Sequence, residues 1–149
     1  MKIINFKYVL GNQLYYNLLS LYQQRKFRRL MIRLNLDKYL SLTIIQYQKY
    51  MDVTIDYFAS HPNVSACVLP NYDHSPRSGK LAVLLANSSP QLFGKLLSKI
   101  KSLYEKRKSN NERLFVKAWN EWGEGNYLEP DLKYGRGFLE QILKIFGRR

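Results

Sequence analysis

Leu114-Phe115-Val116-Lys117-Ala118-Trp119-Asn120-Glu121-Trp122-Gly123-Glu124-Gly125 is the stretch on which both the fold and the chemistry turn. Leu114-Phe115-Val116 is a short apolar run that reads as a buried strand. It opens directly into acids, indoles and glycines, and Asn126-Tyr127-Leu128-Glu129-Pro130 continues the polar loop. From Ala118 to Pro130, thirteen residues hold three carboxylates, two indoles and two glycines. A strand ending in such a loop is a common way to build a carbohydrate site. Trp faces stack on sugar rings, Asn bonds hydroxyls, and paired acids move protons and stabilise charge.

Working outward, the spacing predicts a final helix near 134–146, with Phe138, Leu139, Ile142, Leu143 and Phe146 as its stripe and Gly147 as its C-terminal cap. Upstream, Ser89-Pro90 is a helix start, Ser as N-cap and Pro at the first helical position. Leu92, Phe93, Leu96, Leu97, Ile100, Leu103 and Tyr104 follow as its apolar stripe, and Ser109-Asn110-Asn111 ends it. Strands are expected at 42–45, 64–69 and 81–85, with a helix at 47–59 broken by His61-Pro62-Asn63. Residues 13–34 read as a basic amphipathic helix. Between 70 and 79 the chain is too polar and turn-rich to be core.

Strand, helix, strand, helix, strand, helix argues for a parallel α/β arrangement. The loops at 70–79 and 119–130 both follow strands, and in a (β/α) barrel they would lie side by side on the catalytic face. A full eight-fold barrel takes ~250 residues, whereas this chain has 149, room for three or four units. The expected fold class is therefore α/β, the C-terminal part of an incomplete (β/α)8 TIM-type barrel. Residues 1–41 would be a basic, largely helical N-terminal segment, and 42–149 the βα units.

Net charge is +13. One reading is an anionic partner such as nucleic acid, membrane or a phosphorylated donor; the other is solvated, Lys-rich helix faces. No nucleic-acid-binding signature accompanies the basic residues, so specific nucleic-acid binding is not expected, and weak association with anionic membrane stays open. The one cysteine, Cys67, excludes an internal disulfide and sits in an apolar run that reads as buried. No secretory signal is legible and no apolar run nears the ~20 residues that cross a bilayer. The expected location is cytoplasmic, with peripheral inner-membrane association as an alternative.

Glu121 and Glu124 lie three residues apart in the loop. Two carboxylates near one bond can divide acid and base roles when their environments differ, and Trp119 and Trp122 would supply a low-polarity wall. The plainer alternative is a solvated acidic loop. Asp73, His74 and Arg77 form a second cluster. Asp73 can bond a sugar hydroxyl and Arg77 a carboxylate or phosphate, or the two can hold a turn and a structural ion pair. His61 and His74, the only histidines, lack metal-ligand spacing. Gly135-Arg136-Gly137 is no nucleotide fingerprint, and the Gly-x-Ser-x-Gly elbow is absent. No metal or cofactor is called for. The candidate catalytic residues are Glu121 and Glu124. The candidate substrate-binding residues are Tyr72, Asp73, Arg77, Trp119, Asn120, Trp122, Tyr127 and Glu129.

Trp119-Asn120-Glu121-Trp122-Gly123-Glu124-Gly125, then Leu128-Glu129-Pro130-Asp131 and Tyr134-Gly135, resembles the signature of WbsX-type proteins. These are glycoside hydrolase family 99-like domains of bacterial lipopolysaccharide and capsule gene clusters. Asn71-Tyr72-Asp73-His74-Ser75-Pro76-Arg77 is similar to their second motif, usually Trp-Asp-Asn-[Ser/Thr]-Pro-Arg, with Tyr72 in place of Trp and His74 in place of Asn. The resemblance covers about 42–146, while residues 1–41 match none of its motifs. It implies a (β/α)8 barrel acting on glycan or lipid-linked oligosaccharide, by cleavage or transfer. In the hydrolases the first Glu of the motif is a base on the substrate's own 2-hydroxyl and the second is the general acid/base, positions that fall on Glu121 and Glu124. Such a route passes through a 1,2-anhydro sugar and needs no enzyme nucleophile. Two other readings stand beside this one: a truncated, inactive remnant that at most binds glycan, and a basic membrane- or nucleic-acid-associated module.

Overall fold

The computed structural model describes residues 25–35, 43–79, 82–107 and 113–147. Its elements in chain order are α1 (Arg25–Arg33), β1 (Thr43–Gln46), α2 (Tyr47–Ser60), β2 (Ala66–Val68), α3 (Ser75–Ser78), β3 (Val83–Ala86), α4 (Pro90–Arg107), β4 (Leu114–Val116), β5 (Asn120–Glu121), a 3-10 turn (Trp122–Glu124), β6 (Asn126–Tyr127) and α5 (Gly137–Phe146). Of the helix expected at 13–34, the part before Arg25 lies outside the described residues. α5 starts at Gly137, not near 134, because Asp131 and Gly135 bond each other's backbone in a turn that occupies the preceding residues.

β2 and β4 pair in parallel, Ala66 opposite Leu114 and Val68 opposite Val116, and α4 lies between them in sequence. β1 and β3 form a second parallel pair, from Thr43 opposite Val83 to Gln46 opposite Ala86. After β2 the chain turns back and runs antiparallel to β3: Leu85 N–H donates to Tyr72 O at 2.8 Å, and Asp73 bridges Leu84. β3 is thus joined to β1 and to residues 72–74, not inserted as a serial strand between β2 and β4. Among the described residues the architecture is mixed α/β with parallel strand pairs and no closed barrel: the expected α/β class stands, in three two-stranded sheets.

α4 is the centre of the core. Phe93, Leu96, Leu97 and Ile100 are fully buried, and the helix packs against both α2 and α5. Ser89 caps it as the sequence implies, its Oγ accepting from Leu92 N at 3.3 Å. Gly147 is the C-terminal cap of α5 as read, though not in the left-handed region: its φ is −59° and its ψ 135°, and its N–H donates to Leu143 O at 2.8 Å. The chain leaves α5 in an extended conformation whose φ any residue can adopt, but a Cβ at 147 would lie 2.3 Å from Leu143 O, so the close approach to that carbonyl is what requires glycine.

β2 buries Ala66 and Val68 against the helices, which turns Cys67 to the other face. Cys67 is exposed, contrary to the buried thiol read from its apolar run, and its register partner Phe115 is 52% exposed. The run is apolar throughout, but only one face of the pair is covered, so the period-two alternation decides.

The chain has 12 tyrosines, and three of them complete the hydrogen bonds around β2. Tyr47 donates to Leu69 O at 2.6 Å, Tyr50 accepts from Leu69 N at 2.9 Å, and Tyr104 accepts from Ala66 N at 2.6 Å. Buried peptide groups must be paired, and here hydroxyls from α2 and α4 do what a further strand would otherwise do. Tyr47→Phe leaves Leu69 O short of a donor and is expected to cost about 1–3 kcal/mol in urea denaturation. Burial raises Tyr47 and Tyr50 above their ordinary value of 10.0. Their stabilising effect is complete below pH 10 and is lost as pH rises through the folded values.

Candidate functional site

Because β2 and β4 are parallel neighbours, the loops after them leave from the same end. One backbone and one side-chain hydrogen bond join the two loops: Asp73 N–H donates to Glu124 O at 2.8 Å, and Tyr127 N–H to the Asn71 side-chain Oδ1 at 2.9 Å. The second loop folds as a small hairpin, Asn120 opposite Tyr127 and Glu121 opposite Asn126, closed by the 3-10 turn and Gly125. Asn126 is fully buried and accepts from Ala118 N at 2.6 Å, which ties the hairpin to the end of β4.

Gly125 makes the junction possible. Its φ is +52°, and a Cβ there would lie 2.9 Å from Asp73 Cβ and 3.0 Å from Asp73 N. An alanine would be strained and would push the two loops apart. Gly125→Ala is expected to lose about 1–3 kcal/mol of stability and the Asp73–Glu124 bond with it. A lowered denaturation midpoint together with faster hydrogen exchange at Asp73 would register that loss.

Positive charge from both loops gathers on the two glutamates. Arg77 reaches Glu121 Oε1 at 3.4 Å and Glu124 Oε1 at 3.6 Å. Lys117 bonds Glu124 Oε2 at 3.2 Å, and His74 Nε2 stands 3.9 Å from Glu124 Oε1. The Glu124 side chain is 20% exposed and that of Glu121 42%. Each of these half-exposed pairs is worth only about 0–1 kcal/mol to stability; what they fix is where the carboxylates sit. The indole wall expected beside the glutamates is not what surrounds Glu124. Trp122 instead donates to Glu129 Oε2 at 2.6 Å and stacks on Tyr127 with ring centres 3.8 Å apart. Trp119 and Trp122 remain about half exposed, as platforms open to solvent.

Tyr72 stacks on His74 and lies under the Lys117 ammonium, 5.7 Å from its ring centre. Burial, then the nearby Glu124 charge, holds its hydroxyl above the ordinary tyrosine range. Tyr127 is raised likewise by burial and by Asp131. Asp73 Oδ1 accepts from Ser75 N at 2.9 Å, so it does hold the turn into α3. A cleft of about 540 Å³ opens at the Asp73–Gly125 junction of the two loops, walled by Asn71, Tyr72, Asp73, Tyr127, Lys133 and Tyr134; neither glutamate lines it. The candidate residues thus divide. Arg77, Glu121 and Glu124 meet in the charge cluster, Tyr72, Asp73 and Tyr127 line the cleft, and Trp122 and Glu129 bond each other. Trp119 and Asn120 lie exposed at the start of the loop. A larger groove of about 640 Å³ runs between α2, α4 and α5, with Asp52, Lys95, Lys99 and Lys144 among the residues that line it and neither glutamate of the acid pair.

Lys117 is the residue the sequence reading missed. The signal was present: with Val116 packed toward the core, alternation puts Phe115 and Lys117 on the open side of β4, at the mouth of the acid loop. Among the described residues no cluster of His, Cys, Asp and Glu could hold a metal ion, and no helix is long and apolar enough to cross a membrane.

Comparison with known proteins places these features in a family. The family described as glycosyltransferase WbsX matches residues 5–142, beginning well before residue 42, so it takes in most of the N-terminal segment that the motifs left unmatched. Two relatives, each described as uncharacterized protein WxcX and each from a strain of Xanthomonas campestris pv. campestris, are 36% identical over 83 residues. The match covers 54% of this chain and 12% of each relative, so the chain matches about an eighth of their length. No solved structure matches. On the extent of the first match, the chain belongs to the WbsX glycosyltransferase family.

Proposed function

We propose that this chain acts on glycans in the assembly of bacterial surface polysaccharide, transferring or cleaving glycosyl units at Glu121 and Glu124. The observation that carries the reading is the convergence of Arg77, Lys117 and His74 on that acid pair, in loops whose Asp73–Gly125 junction also lines a cleft walled by tyrosines. Family membership supplies the substrate class. Arg77 holds one oxygen of each glutamate, so the spacing of the two groups is set before substrate arrives, and pre-set geometry is a large part of catalysis. Glu121, the more exposed of the two, would act as base on a sugar hydroxyl, and Glu124 as acid/base at the glycosidic oxygen. Trp119 and the outer face of Trp122 would stack on sugar rings, with Asn120 bonding hydroxyls.

In this reading β2 and β4 are neighbouring strands of a (β/α)8 barrel. Cys67 and Phe115 then face its interior, which accounts for a parallel pair with one open face, an arrangement rare where both faces are ordinarily covered. A lipid-linked oligosaccharide is the natural substrate for such a protein, and its basic charge suits work at an anionic membrane.

The test is incubation with free and lipid-linked oligosaccharides, followed by mass spectrometry for gain or loss of whole sugar residues. Turnover that depends on both glutamates supports the assignment. A second reading, glycan binding without turnover, is favoured by the half-exposed indoles of Trp119 and Trp122. Binding seen by tryptophan fluorescence with no change in product mass would select it. Neither binding nor turnover across the panel would remove both.

A further inference from the structure

His74 converges on the acid pair with Arg77 and Lys117 but has no chemical role assigned so far, and it is held on several sides. Its backbone N–H donates to Val83 O at 3.2 Å. Its ring stacks on Tyr72, centres 6.1 Å apart and planes 23° from parallel. Ser78 N–H donates to His74 O at 3.0 Å, so the single turn of α3 brings Ser78 back over the residue that precedes it. There Ser78 Oγ lies 2.9 Å from His74 Nδ1. The opposite ring nitrogen, Nε2, faces Glu124 Oε1 at 3.9 Å.

A neutral imidazole has one nitrogen that donates and one that accepts. Ser78 can satisfy Nδ1 by donating its hydroxyl proton, which leaves the ring proton on Nε2, pointing at the carboxylate. The reverse tautomer would aim the Nε2 lone pair at an anionic oxygen. Lys117 already holds the other oxygen, Oε2, at 3.2 Å. Oε1 has the Arg77 guanidinium at 3.6 Å, outside hydrogen-bond range and shared with Glu121, so it still has room for a directed N–H, and the 3.9 Å to Nε2 is one small side-chain shift from a hydrogen bond. Such contacts often stand long in a free site and tighten when it is occupied.

We propose that His74 is a positioning residue for Glu124: Ser78 fixes it as the Nε2–H tautomer, and that N–H steers Glu124 Oε1 within the acid pair. The proposal rests on the glycan-active reading of the site. Its first test does not depend on turnover.

Ring-nitrogen NMR of the 15N-labelled chain at a pH where the imidazoles are neutral reads the tautomer directly. His61 and His74 are the only histidines, so His61→Gln assigns the signals. The expected spectrum shows His74 protonated on Nε2. Ser78→Ala should mix the two tautomers, and Glu124→Gln should move the Nε2 resonance. An Nδ1–H tautomer in the wild type, or a Nε2 resonance indifferent to Glu124→Gln, overturns the proposal whether or not the protein turns over glycan.

The second test compares His74→Gln, whose amide can still donate near the Nε2 position, with His74→Leu, which cannot. Loss of about tenfold in kcat at unchanged KM for the leucine variant, with the glutamine variant within a few-fold of wild type, is expected for one lost hydrogen bond to a charged group. Equal loss in both variants at unchanged melting temperature overturns it. Full turnover by Glu124→Gln would instead remove the catalytic reading, and the NMR result would still judge the His74–Glu124 contact on its own.

Discussion

Glu124→Gln should leave the protein folded and able to bind glycan while lowering turnover by about 10²–10⁴-fold. That range is what a positioned general acid or base typically contributes. The amide keeps the shape of the carboxylate but can neither take a proton nor deliver one. Stability should change little. Glu124 loses charge partners in Lys117 and Arg77, but pairs at half-exposed sites count for about 0–1 kcal/mol each. The backbone bond from Asp73 to Glu124 O does not involve the side chain and should persist. Binding can be followed through Trp119 and Trp122, which are about half exposed in the same loop. Glu121→Gln should be comparably damaging if a sugar hydroxyl is the internal nucleophile. Glu105→Gln is the control: that acid is exposed on α4 and pairs only loosely with Lys101, at 3.9 Å. Unchanged turnover in Glu124→Gln would sink the catalytic assignment. A parallel loss of binding and turnover would mean that the residue holds substrate and does not act on it.

The parts of the fold legible in the sequence were those with a local cause. The stripe of α4 and its Ser89 cap follow from side-chain period and N-terminal chemistry, and both stand as read. So does the adjacency of the two polar loops, which follows from parallel strands that end in them. What could not be read was set by distant partners. The pairing of β3 with β1 depends on which strand meets which, and no residue in Val83–Ala86 encodes that choice. Cys67 and Phe115 look like core from composition, and only the uncovered face of β2–β4 leaves them out. At the candidate site, the residue types were sufficient to single out Glu121, Glu124 and Arg77, which the fold brings within ion-pair distance of one another. They were insufficient to find Lys117, an ordinary lysine until the strand places it against Glu124. Nor could they assign Trp122, whose indole bonds Glu129 and not the acid pair.

The largest effect on stability should come from Phe93→Ala. Phe93 is fully buried on α4, edge-on to Phe138 of α5 with ring centres 5.7 Å apart. Emptying such a position usually costs about 3–5 kcal/mol, part from lost burial and part from the cavity left behind. Set against a typical net stability of about 5–15 kcal/mol, that removes much of the folded margin. The damage should not spread evenly. Phe138 also packs edge-on to Tyr134, at 5.6 Å, and Tyr134 donates to Ser88 O at 3.0 Å, fastening the turn at 131–136 to the start of α4. Tyr134 walls the cleft. Loosening Phe138 should therefore free that wall first. The acid pair is held separately, by Asp73 on Glu124 and Asn71 on Tyr127, and should stay ordered longer. In hydrogen exchange, protection should fall at Gly135, Gly137 and Glu140, whose N–H groups bond within this turn and the first turn of α5, before it falls at Asp73. Phe93→Leu, which keeps most of the volume, should cost less than about 1.5 kcal/mol and leave the Tyr134 wall of the cleft in place. Exchange that quickens first at Asp73 would mean that the core and the acid pair are one cooperative unit. The cleft would then owe its shape to the whole domain and not to the Phe93–Phe138–Tyr134 chain.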